Sequence, residues 1–317
     1  MVPHEAGIRI SGTGLAGGRH GRVLAATFAP ARQVFEEVDD ALSQNLSRLM
    51  FEGPENELTL TENAQPALLA ASLAVIRVLE AEGGFALTRN AAFVAGHSLG
   101  EYSALAAAGT VTIGHGARLL RLRGQAMQEA VPVGEGAMAA LLGLGVEQGQ
   151  AVAAEAAGPD QVCAVANDNA PGQVVVSGHR HAVERAIAIA RANGARRSIA
   201  LPVSAPFHSP LMAPAAEAMA EALWRVELQP PVVPLVANVS ATATRDPGRI
   251  MRGLVEQVTA MVRWRESVLF LKQDGVEEVV EIGAGRVLTG LTKRIDPDLS
   301  ARSVVTPAEI ASLIEEL

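Results

Sequence analysis

Residues 91–95 form a short apolar run, Ala-Ala-Phe-Val-Ala, and the chain then passes through Gly96-His97-Ser98-Leu99-Gly100 into a helical pattern that runs from Ser98 to Ala108 and stops at Gly109. A strand that becomes a helix within five residues must do so through a tight turn. Glycines on both sides of that turn let two stretches of backbone approach closely. The same alternation recurs elsewhere. Residues 232–236 and 277–282 read as strands, and residues 30–42, 66–82, 117–130 and 214–224 carry helical periodicity. The pattern predicts an α/β protein with a mostly parallel sheet.

Residues 134–201 follow a different order. Strand patterns at 137–142, 162–166, 173–177 and 198–203 enclose helical patterns at 146–157 and 182–193. The order βαββαβ predicts a ferredoxin-like unit. The expected organisation is a catalytic core of residues 1–133 and 202–317 with residues 134–201 inserted.

Composition narrows the function. The chain has 317 residues, 49% hydrophobic but only 3% aromatic, so alanine, leucine and valine must fill the core. A net charge of −8 with no basic run argues against a nucleic-acid partner. The most apolar helix candidate, residues 66–79, is short for a membrane span and contains Arg77, so no membrane role is expected. The lone cysteine, Cys163, cannot form an internal disulfide and reads as a small buried residue. It fits a reducing, cytoplasmic setting. Residues 1–10 lack the apolar segment of a signal peptide.

Chemistry centres on Ser98. In a G-x-S-x-G turn between strand and helix, a serine hydroxyl stands exposed at a helix N-terminus, and the next amide, Leu99, can face an oxyanion. A plain helix-capping serine is the other reading. A serine nucleophile needs a base. Of seven histidines, His208 in Pro206-Phe207-His208-Ser209-Pro210 sits in the stiffest loop, although position alone leaves a structural histidine nearly as open. No aspartate has a claim to complete a triad, and a backbone carbonyl could orient the ring instead. Arg123 is the third candidate. On the helical wheel it falls among Leu119, Leu120, Leu122, Ala126 and Met127, so its charge must be paired by a buried carboxylate or by a substrate's carboxylate.

Seven motifs carry a family resemblance. They are Glu62-Asn63-Ala64-Gln65-Pro66-Ala67-Leu68, the stretch GHSLGEYS from Gly96 to Ser103, Arg123-Gly124-Gln125-Ala126-Met127-Gln128, Asn167-Asp168-Asn169 with Pro171-Gly172-Gln173-Val174, PFHSPLM from Pro206 to Met212, Glu281-Ile282-Gly283-Ala284-Gly285, and Leu288-Thr289-Gly290-Leu291. Over residues 28–310 the chain resembles the malonyl-CoA:acyl carrier protein transacylases of fatty acid synthesis. The resemblance implies an α/β-hydrolase-like core with a ferredoxin-like insert. It implies Ser98 as nucleophile, His208 as base and Arg123 as a bidentate partner of the malonyl carboxylate. It makes Gln65 an active-site glutamine, places Asn167 and Asn169 at the cleft between the domains, and has the backbone carbonyl near Gln257 hold the histidine. Leu99 and Phe207 resemble the malonyl-type pattern. Malonyl-CoA is then the substrate and acyl carrier protein the partner, with no metal and no bound cofactor. The carrier is acidic in this family, so a basic docking patch is expected. Arg180, Arg185, Arg191, Arg196 and Arg197 are candidates, with a solvated helix face as the alternative.

The start departs from the family. In place of Phe-Pro-Gly-Gln-Gly-Ser-Gln the chain has Ile10-Ser11-Gly12-Thr13-Gly14-Leu15-Ala16. The family glutamine supplies an oxyanion-hole amide, and Thr13 keeps glycines on both sides at that place. A back-translation of residues 10–21, read one base later, yields the family motif, which predicts a frameshift restored near Arg22. A homologue impaired at the oxyanion hole, a serine thioesterase or hydrolase, and a polyketide-pathway transacylase are the alternatives.

Overall fold

The computed structural model describes residues 6–10 and 18–317. Its strands are β1 Ala6–Ile10, β2 Phe93–Gly96, β3 Gly136–Leu142, β4 Cys163–Ala170, β5 Gln173–His179, β6 Arg197–Ala200, β7 Leu235–Val236, β8 Ala243–Thr244, β9 Glu278–Ile282 and β10 Ser300–Val304. Among the described residues they form two sheets.

The larger sheet runs β10-β9-β1-β2-β7-β8 and is parallel except for the β7–β8 pair. Parallel neighbours need crossover connections, which the intervening helices supply. β1 lies between β2 and β9, with Ile10 level with Gly96 and Ile282. The chain therefore contributes a central strand just before its unfamiliar segment. Residues 11–17, Thr13 among them, lie outside the described residues, and so does most of the proposed frameshift.

Against this sheet packs the helix Thr61–Gly83, whose alanines and leucines are buried on nearly every side. It is longer than the sequence pattern predicts. It begins five residues before Pro66 and accepts the loss of one backbone bond there. By length and composition it could cross a membrane, but 78% of its most apolar window is buried inside the protein. Each fully buried leucine, such as Leu69 or Leu79, contributes about 2 kcal/mol. The helix Ile113–Glu129 crosses it closely at Gly124.

The second sheet, β4-β5-β3-β6, is antiparallel throughout. Helices Val146–Ala156 and Arg180–Ala192 share a core with it, built from Ala139, Leu141, Val152, Val174, Val176 and Ala186. β4 joins the two sheets' surroundings: Asp168 N–H donates to Val262 O at 3.0 Å and Val262 N–H to Ala166 O at 2.9 Å. Arg265 pairs with Asp168 at 2.8 Å across the same seam.

Three expectations need correction. Residues 232–236 yield only a two-residue strand, because the segment meets β2 for that length alone. Leu122 is exposed and not on the buried face of its helix, while Arg123 is buried. The helix after β2 begins at Gly100, not Ser98, because Ser98 takes up a left-handed turn. Cys163 is buried as expected, and burial pushes its thiol up to about 11.

Candidate active site

β2 ends at Gly96, and the chain turns through His97, Ser98 and Leu99 into the helix Gly100–Ala107. A Cβ on Gly96 would overlap the carbonyl of Gly100, so only glycine allows this turn to close. Ser98 has φ 53°, a region that costs a non-glycine residue about 1–3 kcal/mol. Asn238 offsets that strain. Its Oδ1 accepts from Ser98 N–H at 2.7 Å and its Nδ2 donates to Gly96 O at 2.7 Å.

Ser98 Oγ lies 2.8 Å from His208 Nε2. His208 also has a left-handed backbone, φ 56°, and its Nδ1 donates to the backbone carbonyl of Gln257 at 2.7 Å. That bond fixes the tautomer, with the Nε2 lone pair facing the serine. Burial and the neighbouring Arg123 cation bring the His208 pKa down to about 3, so the ring is neutral near pH 7.

Arg123 comes from the helix Ile113–Glu129 and is 1% exposed. Its Nη1 donates to Gln65 Oε1 at 2.8 Å, and its Nη2 donates to Gln257 Oε1 at 2.9 Å and to Ser98 Oγ at 3.1 Å. All three acceptors are uncharged. Among the described residues no carboxylate lies within ion-pair distance of it, and its Nε has no partner. Gln65 is in turn oriented by its Nε2, which donates to Thr61 Oγ1 at 2.9 Å.

These groups open onto a cavity of about 610 Å³. Ser98, His208, Arg123, Gln65 and Asn167 are among its polar lining residues, and Leu99, Phe207, Met127, Met138, Leu201 and Val203 are among its apolar ones. The Leu99 N–H has no acceptor among the described residues and sits at the helix N-terminus, where a negative charge is favoured. Asn169 stands apart from the cavity. Its Oδ1 meets His97 Nε2 at 2.9 Å, and the His97 ring packs edge-on to Trp264 at 5.4 Å. Burial brings the His97 pKa down to about 4.

The sequence reading thus finds Ser98, His208, Arg123, Gln65, Leu99, Asn167, Phe207 and Gln257 in one place and Asn169 one layer away. Thr13 lies outside the described residues. The reading missed Asn238 and Glu101. Glu101 is 1% exposed, and its Oε2 accepts from Gln257 Nε2 at 2.7 Å and from Asn238 N–H at 3.2 Å. Only a buried acid within the GHSLGEYS motif could have flagged Glu101, and Asn238 lies in a run of ordinary loop residues.

Residues 12–305 match the acyl transferase domain family. The chain is 44% identical over 292 residues to the malonyl CoA-acyl carrier protein transacylase of Escherichia coli K12, covering 92% of this chain and 93% of that protein. It superposes on the acyl-carrier-protein-S-malonyltransferase of Bartonella henselae with a TM-score of 0.94 and 52% identity over 98% of each chain. A solved complex of a type II PKS acyl-carrier protein with its malonyl-transacylase matches with a TM-score of 0.94 and 43% identity, over 99% of this chain and 100% of that one. With a match across most of its length and relatives at 43–52% identity, the chain belongs to the acyl transferase domain family.

Proposed function

We propose that this chain moves a malonyl group from malonyl-CoA to the phosphopantetheine thiol of an acyl carrier protein, in fatty acid synthesis in the cytoplasm, through an ester on Ser98. The observation that carries the reading is Arg123: a buried cation, held only by neutral acceptors, beside the nucleophile and open to the cavity. A buried cation with no carboxylate in direct contact is costly, with Glu101 reaching it only through Gln257, and an incoming carboxylate relieves that cost. Arg123 Nε and a terminal nitrogen would form the fork.

In the first half-reaction His208 Nε2 takes the Ser98 proton while Oγ attacks the thioester carbon. The Leu99 amide stabilises the oxyanion. The tetrahedral adduct collapses, the C–S bond breaks and the proton passes from His208 to the departing CoA sulfur. In the second half the carrier thiol gives its proton to His208 and attacks the ester, and Ser98 recovers the proton. A carboxylate on Arg123 also cancels the cation that disfavours imidazolium, so substrate binding raises the basicity of His208. Gln65 orients Arg123, Gln257 orients both Arg123 and His208, Phe207 and Leu99 bound the acyl pocket, Asn167 lines it, and Asn169 holds His97 one layer behind.

We read the six-stranded sheet with its helices as an α/β-hydrolase-like core, residues 1–133 and 202–317. Residues 134–201 are a ferredoxin-like insert; numbered within that unit, its strand order 2-3-1-4 and antiparallel pairing support the assignment. Docking of the carrier falls to Arg191, Arg196 and Arg197 of the insert. Arg180 and Arg185 are tied to the backbone carbonyls of Gly134 and Ala156.

Intact-protein mass spectrometry after mixing with malonyl-CoA tests the reading. A malonyl adduct is expected on the wild type and absent from Ser98→Ala, and added carrier protein discharges it. A folded wild type that forms no adduct overturns the proposal, and rapid loss in buffer alone shifts it to a hydrolase.

A further inference from the structure

We propose that Glu101, as a carboxylate, is a positioning residue of the acyl transfer: it sets the orientation of the Gln257 side chain and so the ends of that amide that face Arg123 and the Ser98 backbone. The inference rests on the reading of Ser98, His208 and Arg123 given above.

A glutamine side chain has one accepting and one donating end of nearly equal shape, and its orientation is decided by its neighbours. Gln257 is fully buried between two charged groups. A guanidinium only donates, and a carboxylate only accepts. With Glu101 Oε2 taking Gln257 Nε2 at 2.7 Å, the Oε1 end is left for Arg123 Nη2 at 2.9 Å. The same Nε2 also donates to Ser98 O at 3.1 Å, and the Gln257 backbone carbonyl holds His208. A protonated Glu101 gains a donor and no longer fixes the amide. Once flipped, Gln257 would aim N–H groups at Arg123, and the cation would lose an acceptor next to the nucleophile.

Glu101 also accepts from Asn238 N–H, and the Asn238 side chain braces the strained Ser98 turn. One buried acid therefore stands behind the nucleophile and the cation without touching substrate. Burial raises its pKa to about 7, opposed by Asn238, Gln257 and Arg123. Arg123, from the crossing helix, and Tyr102, on its own helix, are the other titratable groups facing it, with His208 beyond Gln257.

An uncharged alkyl fluorophosphonate, which needs only Ser98 and His208, is the suitable probe. Wild-type phosphonylation is expected to fall about tenfold from pH 8 to pH 6, since a group titrating near 7 loses about nine-tenths of its ionised form over that span. His208 titrates far below this window and does not produce that limb. Glu101→Gln, which keeps the shape, is expected to be slow and flat with pH; if it fails to fold, Glu101→Asp keeps the charge and should move the limb. A wild-type rate that is flat from pH 6 to 8, or a limb unchanged in these variants, overturns the proposal. The malonyl adduct is measured on the same samples. A missing adduct with an intact limb refutes the malonyl reading and leaves Glu101 in its role.

Discussion

Arg123 Nη2 lies 3.1 Å from Ser98 Oγ, so the cation that would grip an acyl carboxylate also touches the oxygen that attacks. Selection and chemistry are then one arrangement. Removing one member of a buried charge pair costs about 3–5 kcal/mol, and a tenfold change in rate corresponds to about 1.4 kcal/mol. Arg123→Ala is therefore expected to lower malonyl transfer by roughly 10²–10⁴-fold and to narrow the preference for malonyl over acetyl. Steady-state kcat/KM for both thioesters checks this, and an unchanged ratio would count against a substrate-binding role.

Asn238 supports the turn with three bonds, to Ser98 N, Gly96 O and Glu101 Oε2. Asn238→Ala leaves the Ser98 amide and the Gly96 carbonyl buried without their partners. Each such group costs about 1–3 kcal/mol. The variant is expected to unfold at lower urea, losing about 2–6 kcal/mol of stability, and Ser98 should react more slowly with malonyl-CoA, because the left-handed backbone loses its brace. Urea titration and the acylation rate test the two effects separately.

How far the sequence reaches can be judged at these residues. Ser98 is legible because the glycines and the strand–helix change leave its turn few alternatives, and the structure adds its left-handed backbone. Arg123 is legible because a charge on an apolar helical face needs an account. His208 is chosen among seven histidines by its loop alone, and only three-dimensional proximity, 2.8 Å to Ser98, separates it from a structural histidine. Asn238 and Glu101 are silent in the sequence because their meaning is contact at a distance, across 140 and 156 positions to Ser98 and Gln257. Strands β3, β4, β5 and β6 fall where the local pattern predicts strands. By contrast, β7 and the true start of the helix Thr61–Gly83 depend on tertiary packing that no local pattern records.

Acid should destabilise the fold through its buried histidines. In the unfolded chain His97 takes a proton near pH 6.5, whereas the folded chain resists until about 4 because burial disfavours the charged ring. Its folded pKa is lowered, so the unfolded state binds more protons and stability falls as pH drops from about 6.5 toward 4. At pH 5 the loss from one such group is about 2 kcal/mol. Glu101, raised to about 7, acts in the opposite sense, costing stability as pH rises from 4.5. The comparison of variants isolates the histidine: between pH 7 and pH 5, His97→Gln is expected to lose about 2 kcal/mol less than wild type in urea unfolding. Equal losses in both proteins would show that His97 titrates normally.

Gly124 tests whether the close helix crossing sets the position of Arg123. A Cβ there would lie 2.5 Å from Glu62 Cα and 2.7 Å from both Glu62 N and Thr61 O, all backbone atoms that cannot turn aside. The helices Thr61–Gly83 and Ile113–Glu129 must part, and they carry Gln65 and Arg123, whose 2.8 Å bond spans the gap. Overpacking of this kind costs about 1–3 kcal/mol. Gly124→Ala is therefore expected to lower the unfolding midpoint and also to weaken discrimination between malonyl-CoA and acetyl-CoA. Gly290→Ala is the control, since an added Cβ there meets nothing within 4 Å in the helix Val287–Ile295. It should stabilise by about 0.5–1 kcal/mol and leave the preference untouched. If Gly124→Ala loses stability but keeps its full preference for malonyl, the crossing does not govern where Arg123 sits.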